Sequence, residues 1–308
     1  MNKKRVQLLF IFLGLNLLIP HLSKAQQQAQ FTQYMFNHLG INPAYAGMEG
    51  PLSLTFINRQ QWSDVENAPT TQTLSAHALS KKKHVGYGLN LNNDKIGVHQ
   101  NQGVLANMSY HLSTSKTSRL SMGMRAGVES VRSDYASLVA DAGNDPRLLN
   151  SGVKQTFLSL GAGLYFKSRQ LEVGFSVPEL LPRSFTVSDT LDITLRNTNM
   201  FLFSKYKFPL SASFEANPGF LIKYLYGLPI SYDLNMNFIY KEVLTMGLSY
   251  RKKESVGFLL GAQLTPQFKA GYAFDYPIGD IPSFTSGSHE VMINYRFKFF
   301  TSNVSSPR

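Results

Sequence analysis

The chain of 308 residues contains no cysteine, a single tryptophan and only 16% charged residues. Without cysteine there can be no disulfide bond, thiolate metal site or cysteine nucleophile. The low charge and the 12% of aromatic residues do not fit a disordered chain, which is rich in charge and poor in aromatics. The chain also lacks the repeated long apolar runs of a helical membrane bundle. These absences leave a folded chain that is rich in aromatic residues.

The first 25 residues have the three parts of a secretory signal peptide. Asn2 to Arg5 form a basic start, residues 6–19 are mostly apolar, and Ser23-Lys24-Ala25 supplies small residues for cleavage. The alternative is a single membrane anchor, for which the apolar run is short. Cleavage would remove four cations, so the net charge would fall from +11 to +7. An exported basic chain favours acidic partners or outer-membrane lipid phosphates and makes nucleic acid an unsuitable partner.

Polar and apolar residues alternate along most of the remaining chain, which is the pattern of strands with one apolar face. In residues 230–240, Leu234, Met236 and Phe238 share one face and Asn235 lies on the other. The segments are close to the 9–11 residues that a tilted strand needs to cross a bilayer. Aromatic residues often lie at the ends of the apolar faces, as in the girdles of outer-membrane barrels.

Counting these segments predicts an all-β fold, a transmembrane outer-membrane antiparallel β-barrel of roughly fourteen strands within residues 51–299. Asn217-Pro218-Gly219 is predicted to break or bulge one strand, and residues 300–308 form a C-terminal tail. Connections at one end of the barrel are short. Several at the other end are predicted to be long, namely 61–69, 93–102, 129–154, 177–198 and 277–288. Short periplasmic turns and long outer loops are typical of such barrels.

Residues 26–50 precede the first strand and are too aromatic for a free tail, with Tyr34, Phe36 and Tyr45 among them. Asn42-Pro43 and Gly47 indicate turns. We predict that this segment folds into or under the barrel as a plug. The alternative is a periplasmic surface that binds a partner through these aromatic residues, and the two roles are compatible.

No catalytic constellation is evident, so we expect no enzyme activity, no cofactor and no metal site. The histidines do not pair at the spacing of a zinc-binding helix, and His289-Glu290 lacks a second histidine. His289-Glu290 is interpreted as a lumen or rim site that caps the last strand. Gly86-Tyr-Gly88 and Gly161-Ala-Gly163 are not followed by a helix, so they do not indicate a nucleotide loop. Glycines on the inner face would instead ease curvature or leave space in the lumen.

Two groups of residues are candidates for partner binding. Arg59 and Trp62 lie near the end of the first strand, and arginine and tryptophan are common binding anchors. Lys81, Lys82 and Lys83 form a basic run in a predicted periplasmic turn that could dock an acidic partner. The alternatives are a membrane-interface tryptophan and a solvated turn.

Several motifs, in this order along the chain, resemble those of the PorP/SprF family. They are Gln30-Phe-Thr-Gln-Tyr-Met-Phe-Asn37, Asn42-Pro-Ala-Tyr-Ala-Gly47, Arg59-Gln-Gln-Trp62, Ala68-Pro-Thr70 with Ser75-Ala-His77, Asn93-Asp-Lys-Ile-Gly97, Val177-Pro-Glu-Leu-Leu181, Gly247-Leu-Ser-Tyr-Arg251 and Gly287-Ser-His-Glu290. The resemblance covers about residues 30 to 299. It implies an outer-membrane β-barrel of the Bacteroidota that serves the type IX secretion system and, in gliding bacteria, motility. It also implies partners, namely other secretion components and secreted adhesins with C-terminal secretion domains.

Two functional hypotheses follow for the barrel. The first is a non-enzymatic component of type IX secretion that binds or anchors a secreted adhesin-type substrate at the cell surface. The second is a porin-like channel for small solutes. The aromatic N-terminal segment and the order of the motifs favour the first, because a channel needs an open lumen.

Overall fold

A computed structural model describes most of the chain after the first thirty residues. The described ranges are 31–50, 52–80, 84–134, 152–188, 191–195, 198–226, 228–278 and 285–297.

The described residues form seventeen strands. They are Ser53–Gln60 (β1), Thr70–Leu79 (β2), Val85–Ile96 (β3), His99–Ser113 (β4), Arg119–Asp134 (β5), Gly152–Lys167 (β6), Leu171–Glu179 (β7), Arg183–Ser188 (β8), Leu191–Leu195 (β9), Asn199–Tyr206 (β10), Phe208–Pro209 (β11), Phe214–Leu225 (β12), Ser231–Tyr240 (β13), Leu244–Arg251 (β14), Ser255–Gln263 (β15), Phe268–Pro277 (β16) and Ser288–Arg296 (β17).

Fourteen of these strands form one closed antiparallel barrel, as the alternation predicted. They are β1 to β7, β10 and β12 to β17, and each pairs with the next along the chain. The first and last strands close the barrel, because Phe56 of β1 pairs with both Leu74 of β2 and Ile293 of β17. The short strand β11 pairs with β12, and β8 and β9 form a separate hairpin.

Apolar side chains face outward and polar side chains face the lumen. Along β13, Leu234, Met236 and Phe238 are exposed, whereas Asn235 and Asn237 are buried. The same alternation along β4 exposes the apolar positions and buries the polar ones. This is the arrangement of a barrel with an outer apolar band and a polar interior, and it confirms the predicted faces.

Replacement of Met236 by arginine tests the outward face. Met236 lies near the middle of β13, opposite Leu248 of β14. We expect M236R to lower the free energy of unfolding in lipid vesicles by about 2–4 kcal/mol, because a charge at the midplane faces hydrocarbon. The control M236L should change it by less than about 1.5 kcal/mol, as volume-conserving apolar exchanges do. Equal effects in a guanidinium titration would contradict the assignment.

The connections differ between the two ends of the barrel, which we call the short-turn end and the long-loop end. At the short-turn end, residues 168–170 join β6 to β7 and residues 241–243 join β13 to β14. At the long-loop end, β5 and β6 are joined by residues 135–151, which lie outside the described residues. The first residue of β1 and the last residue of β17 both lie at the short-turn end.

The structure differs from the prediction in three details. The predicted long connection 93–102 is a tight turn at Gly97, because β3 and β4 continue as a polar hairpin in which Gln100 donates to Asn93. The predicted connection 177–198 contains the β8–β9 hairpin. The predicted break at Pro218 is absent from β12, where Pro218 pairs with Met236. On the other side of β12, the pairing with β10 and β11 is interrupted opposite Asn217 and Pro218 without a change of register.

The residues before β1 form three short helical turns. They are the 3₁₀ turns Tyr34–Phe36 and Pro43–Tyr45 and the four-residue helix His38–Ile41 (α1). Asn42 caps the second 3₁₀ turn, because its Oδ1 accepts a hydrogen bond from the Ala44 amide at 2.9 Å. In the part of the chain that the structure describes, no helix has both the length and the apolar character needed to cross a membrane.

Candidate functional site

Residues 31–50, which we call the lumenal segment, lie against the inner face of the barrel and run along its length. The segment begins near the long-loop end, where the Thr32 and Gln33 amides each donate to the Glu290 carboxylate at 2.8 Å. It ends near the short-turn end, where the Gly50 carbonyl accepts a hydrogen bond from the Leu79 amide at 2.9 Å. Most of its side chains are buried.

A buried charge cluster holds the start of the segment. The Arg59 guanidinium lies 2.8 Å from the Asp275 carboxylate and 3.1 Å from the Glu290 carboxylate. The Thr32 hydroxyl accepts from Arg59 at 3.0 Å and donates to Asp275 at 2.5 Å. The cluster thereby joins β1, β16 and β17 to the segment through charge-assisted hydrogen bonds.

The middle of the segment is bound by polar side chains from β2 and β5. The Asn37 side-chain amide donates to the Ser75 hydroxyl at 2.9 Å. Arg125 donates from Nη2 to the Leu39 carbonyl at 2.5 Å and from Nε to Asn107 at 2.9 Å. The last carbonyls of a helix have no partner within the helix, so Arg125 satisfies a group that α1 leaves free.

The end of the segment is bound by two histidines. His77 accepts a hydrogen bond at Nδ1 from the Gly47 amide at 3.1 Å. The Ala46 carbonyl accepts from the Ser109 hydroxyl at 2.7 Å and from His111 Nε2 at 2.9 Å. These bonds fix the backbone of the segment against β2 and β4.

Two inward-facing glycines leave the space that the segment fills. A Cβ atom at Gly86 would overlap the backbone of Ala46, and a Cβ atom at Gly123 would overlap the backbone of Ala44. Glycine is the residue that permits such a close approach of two backbones. The interpretation that inner glycines leave space in the lumen is confirmed at these two positions.

His38 lies in a cluster of aromatic rings inside the barrel. Its ring centroid is 4.4 Å from that of Phe203, 4.9 Å from that of Tyr45 and 5.9 Å from that of Tyr165. Burial lowers the pKa of His38 from 6.5 to about 3, and the Lys205 ammonium adds to the shift. The imidazole is therefore neutral in the folded protein.

His38 should make the protein less stable in mild acid. An unfolded histidine binds a proton below about pH 6.5, whereas folded His38 does so only near pH 3. Stability therefore falls as the pH drops through that window, by up to about 1.4 kcal/mol for each pH unit. The melting temperature of H38F should fall less than that of the wild type between about pH 7.5 and about pH 5.

The control for this measurement is H84F, because His84 is exposed in the turn after β2. H84F should keep the pH dependence of the wild type. Glu49, Glu172, Lys167 and Lys205 also act on His38 and are unchanged in every variant. Equal shifts in the wild type and H38F would contradict the assignment.

The three aromatic residues predicted for the N-terminal segment all lie in the barrel interior. Tyr34 is buried and accepts a hydrogen bond from the Asn235 side chain, and Tyr45 donates to Glu49 at 2.9 Å. The Phe36 ring lies 3.6 Å from the Lys269 ammonium. Burial raises the pKa of both tyrosines, so both hydroxyls stay protonated.

Arg59 and Trp62 do not form the exposed pair that the sequence predicted. Arg59 is only 2% exposed and binds other barrel residues, so it offers no outer surface. Trp62 is half-buried in the loop 61–69, where its amide donates to the Ser288 hydroxyl at 3.2 Å. Lys81, Lys82 and Lys83 lie outside the described residues.

Several residues that hold the segment were not identified from the sequence. Asp275, Arg125 and His77 were assigned no role, and His289-Glu290 was placed at the lumen or rim without a partner. Their shared signal is polar character on the inner face of an otherwise apolar strand. Among the described residues, no group of histidines and acids is arranged to bind a metal ion.

The closed barrel with an apolar outer band and a hydrogen-bonded polar interior defines an outer-membrane β-barrel protein. The chain belongs to the family described as type IX secretion system membrane protein PorP/SprF, which it matches over residues 23–295. The family makes it an outer-membrane component of type IX secretion that interacts with other secretion components. None of the curated proteins compared with this chain matches it.

Solved outer-membrane proteins have a distantly similar fold. The Acinetobacter baumannii outer membrane protein Omp33 is 9% identical, with a TM-score of 0.46 over 80% of this chain and 98% of that chain. The CymD monoaromatic hydrocarbon channel is 12% identical, with a TM-score of 0.47 over 87% of this chain and 94% of that chain.

Proposed function

We propose that the protein is a non-enzymatic component of type IX secretion that binds a secreted adhesin-type substrate at the cell surface. The observation that carries the proposal is the occupied interior. The lumenal segment makes hydrogen bonds to nine of the fourteen barrel strands. A barrel whose inner polar groups bind its own chain suits a rigid scaffold for binding better than a channel.

The loop 61–69 at the long-loop end is the best-supported candidate for the binding surface. Trp62, Asp64 and Asn67 all have positive φ angles, of 48°, 74° and 57°. Such conformations are uncommon outside glycine and concentrate at functional sites. Hydrogen bonds from Ser63 to Gly287 and from Gly97 to Asn67, at 2.8 and 3.0 Å, hold the loop in place.

The same loop presents residues suited to contact with a protein. Val65 is 36% exposed, and Asp64 and Glu66 are also exposed. Trp62 lies beside them and is half-buried. Binding energy at protein interfaces concentrates in a few large side chains, with tryptophan prominent among them. Trp62 therefore remains a candidate anchor, whereas Arg59 supports the barrel from inside.

The double variant Trp62→Ala and Val65→Ser tests this surface. We expect the barrel to stay in the outer membrane while secreted substrate moves from the cell surface to the medium. The measurement is the ratio of surface-bound to released substrate, compared with the barrel content of the membrane. The control is Lys253→Ala, an exposed residue at the same end, which should retain the substrate. Retention by the double variant would contradict this location.

The alternative function is a porin-like channel for small solutes. It requires a continuous water-filled path through the barrel, which the lumenal segment would have to leave open. Conductance of the intact protein distinguishes the two functions.

A further inference from the structure

A cavity of about 410 Å³ lies inside the barrel at the short-turn end, beside the lumenal segment. This volume falls within the range of small-ligand sites. Two acids, Glu49 and Glu172, line it. The cations in its wall are Lys167, Lys205, Lys207, Lys269 and Arg296. The wall therefore carries an excess of three positive charges.

Glu172 shows how the wall binds a carboxylate. Its Oε1 lies 3.3 Å from the Lys205 ammonium and 3.5 Å from the Lys167 ammonium. Its Oε2 accepts a hydrogen bond from the Tyr165 hydroxyl at 2.5 Å. A carboxylate bound by ammonium groups and a phenol is thus already part of this cavity.

Glu49 repeats the arrangement on the other side of the cavity. Its carboxylate lies 3.1 Å from Arg296 and accepts from the Tyr45 hydroxyl at 2.9 Å and the Ser53 hydroxyl at 3.1 Å. Burial raises the pKa of Glu49, but Arg296 and the hydrogen bonds reverse that effect and the pKa is lowered overall. Glu49 therefore stays ionised and its charge is matched by Arg296.

Two lysines of the wall have no such partner. Within the described ranges, neither Lys207 nor Lys269 forms an ion pair with a carboxylate. Lys269 faces the Phe36 ring instead. Both ammonium groups are therefore available to a carboxylate of another molecule.

The rest of the wall is apolar and includes Met35, Phe36, Met48 and Ile239. Apolar surface favours a ligand that carries apolar side chains between its charges. Cations and apolar surface together match an acidic peptide better than a free phosphate ion.

We propose that this cavity binds an acidic peptide segment of a partner on the periplasmic side. Carboxylates of the peptide pair with Lys207 and Lys269. The short turns of outer-membrane barrels face the periplasm, so the site lies opposite the surface proposed for the secreted substrate. The inference goes beyond the proposed function and does not depend on it.

The test measures binding of a fluorescent peptide of alternating glutamate and phenylalanine to the purified full-length barrel in detergent. Lys207→Gln with Lys269→Gln should weaken binding about tenfold, which corresponds to about 1.4 kcal/mol. The matched control is Lys116→Gln with Lys241→Gln, which removes two exposed lysines from turns at the same end. The control should change the affinity by less than about twofold. Thermal unfolding verifies that both variants are folded.

Two measurements on the unaltered protein test the proposal independently of the variants. The affinity should fall as salt is raised, because added ions screen the charges. The same peptide with glutamine in place of glutamate should not bind. The proposal is overturned if the glutamine peptide binds as well, or if both double variants behave alike. It is also overturned if inorganic phosphate alone displaces the peptide at equal concentration, which would indicate a small-anion site, or if no peptide binds, which would indicate a water-filled cavity.

Discussion

A barrel from which residues 32–47 have been deleted should conduct ions through a wide pore, whereas the intact protein should conduct little. Barrels of eight strands are filled by their own side chains, and those of sixteen to eighteen leave an aqueous channel. A fourteen-stranded barrel lies between these sizes, and its inner glycines at 86 and 123 leave additional room. Single-channel recording in planar bilayers measures the difference directly.

A point variant separates the effect of the lumenal segment from that of a shortened chain. Gly123→Leu places a side chain where the backbone of Ala44 lies, so it should displace the segment and raise the conductance. The control is Ala126→Leu, which adds the same side chain on the outward face of the same strand and should conduct like the wild type. A large pore in the intact protein would contradict the filled lumen and support the porin alternative.

Replacement of Arg59 by methionine should lower the free energy of unfolding by about 3–5 kcal/mol, the range seen when one member of a buried ion pair is removed. The variant leaves the buried carboxylates of Asp275 and Glu290 without their common cation. It also removes a donor to Thr32. Guanidinium unfolding in lipid vesicles, followed by tryptophan fluorescence, gives the value.

The matched control is Arg169→Met. Arg169 is exposed in the turn between β6 and β7. Surface substitutions usually change stability by less than about 0.5 kcal/mol, so R169M should be nearly as stable as the wild type. Equal losses in the two variants would contradict the assignment of Arg59 to a buried ion-pair cluster.

The strands could be predicted from the sequence because the bilayer imposes a strict pattern on them. Residues 230–240 were predicted as a strand and the structure has Ser231–Tyr240, since apolar and polar positions alternate along them. The extension of β3 and β4 beyond residue 92 could not be predicted in this way. Both of its faces are polar, and side-chain hydrogen bonds such as Gln100 to Asn93 hold it instead of a lipid-facing side.

The interior could be predicted only in part. Alternation along β1 places Arg59 on the same face as Ser53 and Thr55, opposite the exposed Phe56, so its inward direction was accessible from the sequence. Its partners were not, because Asp275 and Glu290 lie more than two hundred residues away along the chain. Only closure of the barrel brings them together, and local periodicity carries no information about closure.

The joint between the first and last strands has a consequence for the order of assembly. Arg59 and Glu290 are direct partners across that joint, and Glu290 also receives the amides of Thr32 and Gln33. The binding site of the lumenal segment is therefore incomplete until β17, the last strand, has paired with β1. Once β17 has paired with β1, the lumenal segment connects these two strands from inside the barrel. These contacts oppose the separation of β1 from β17.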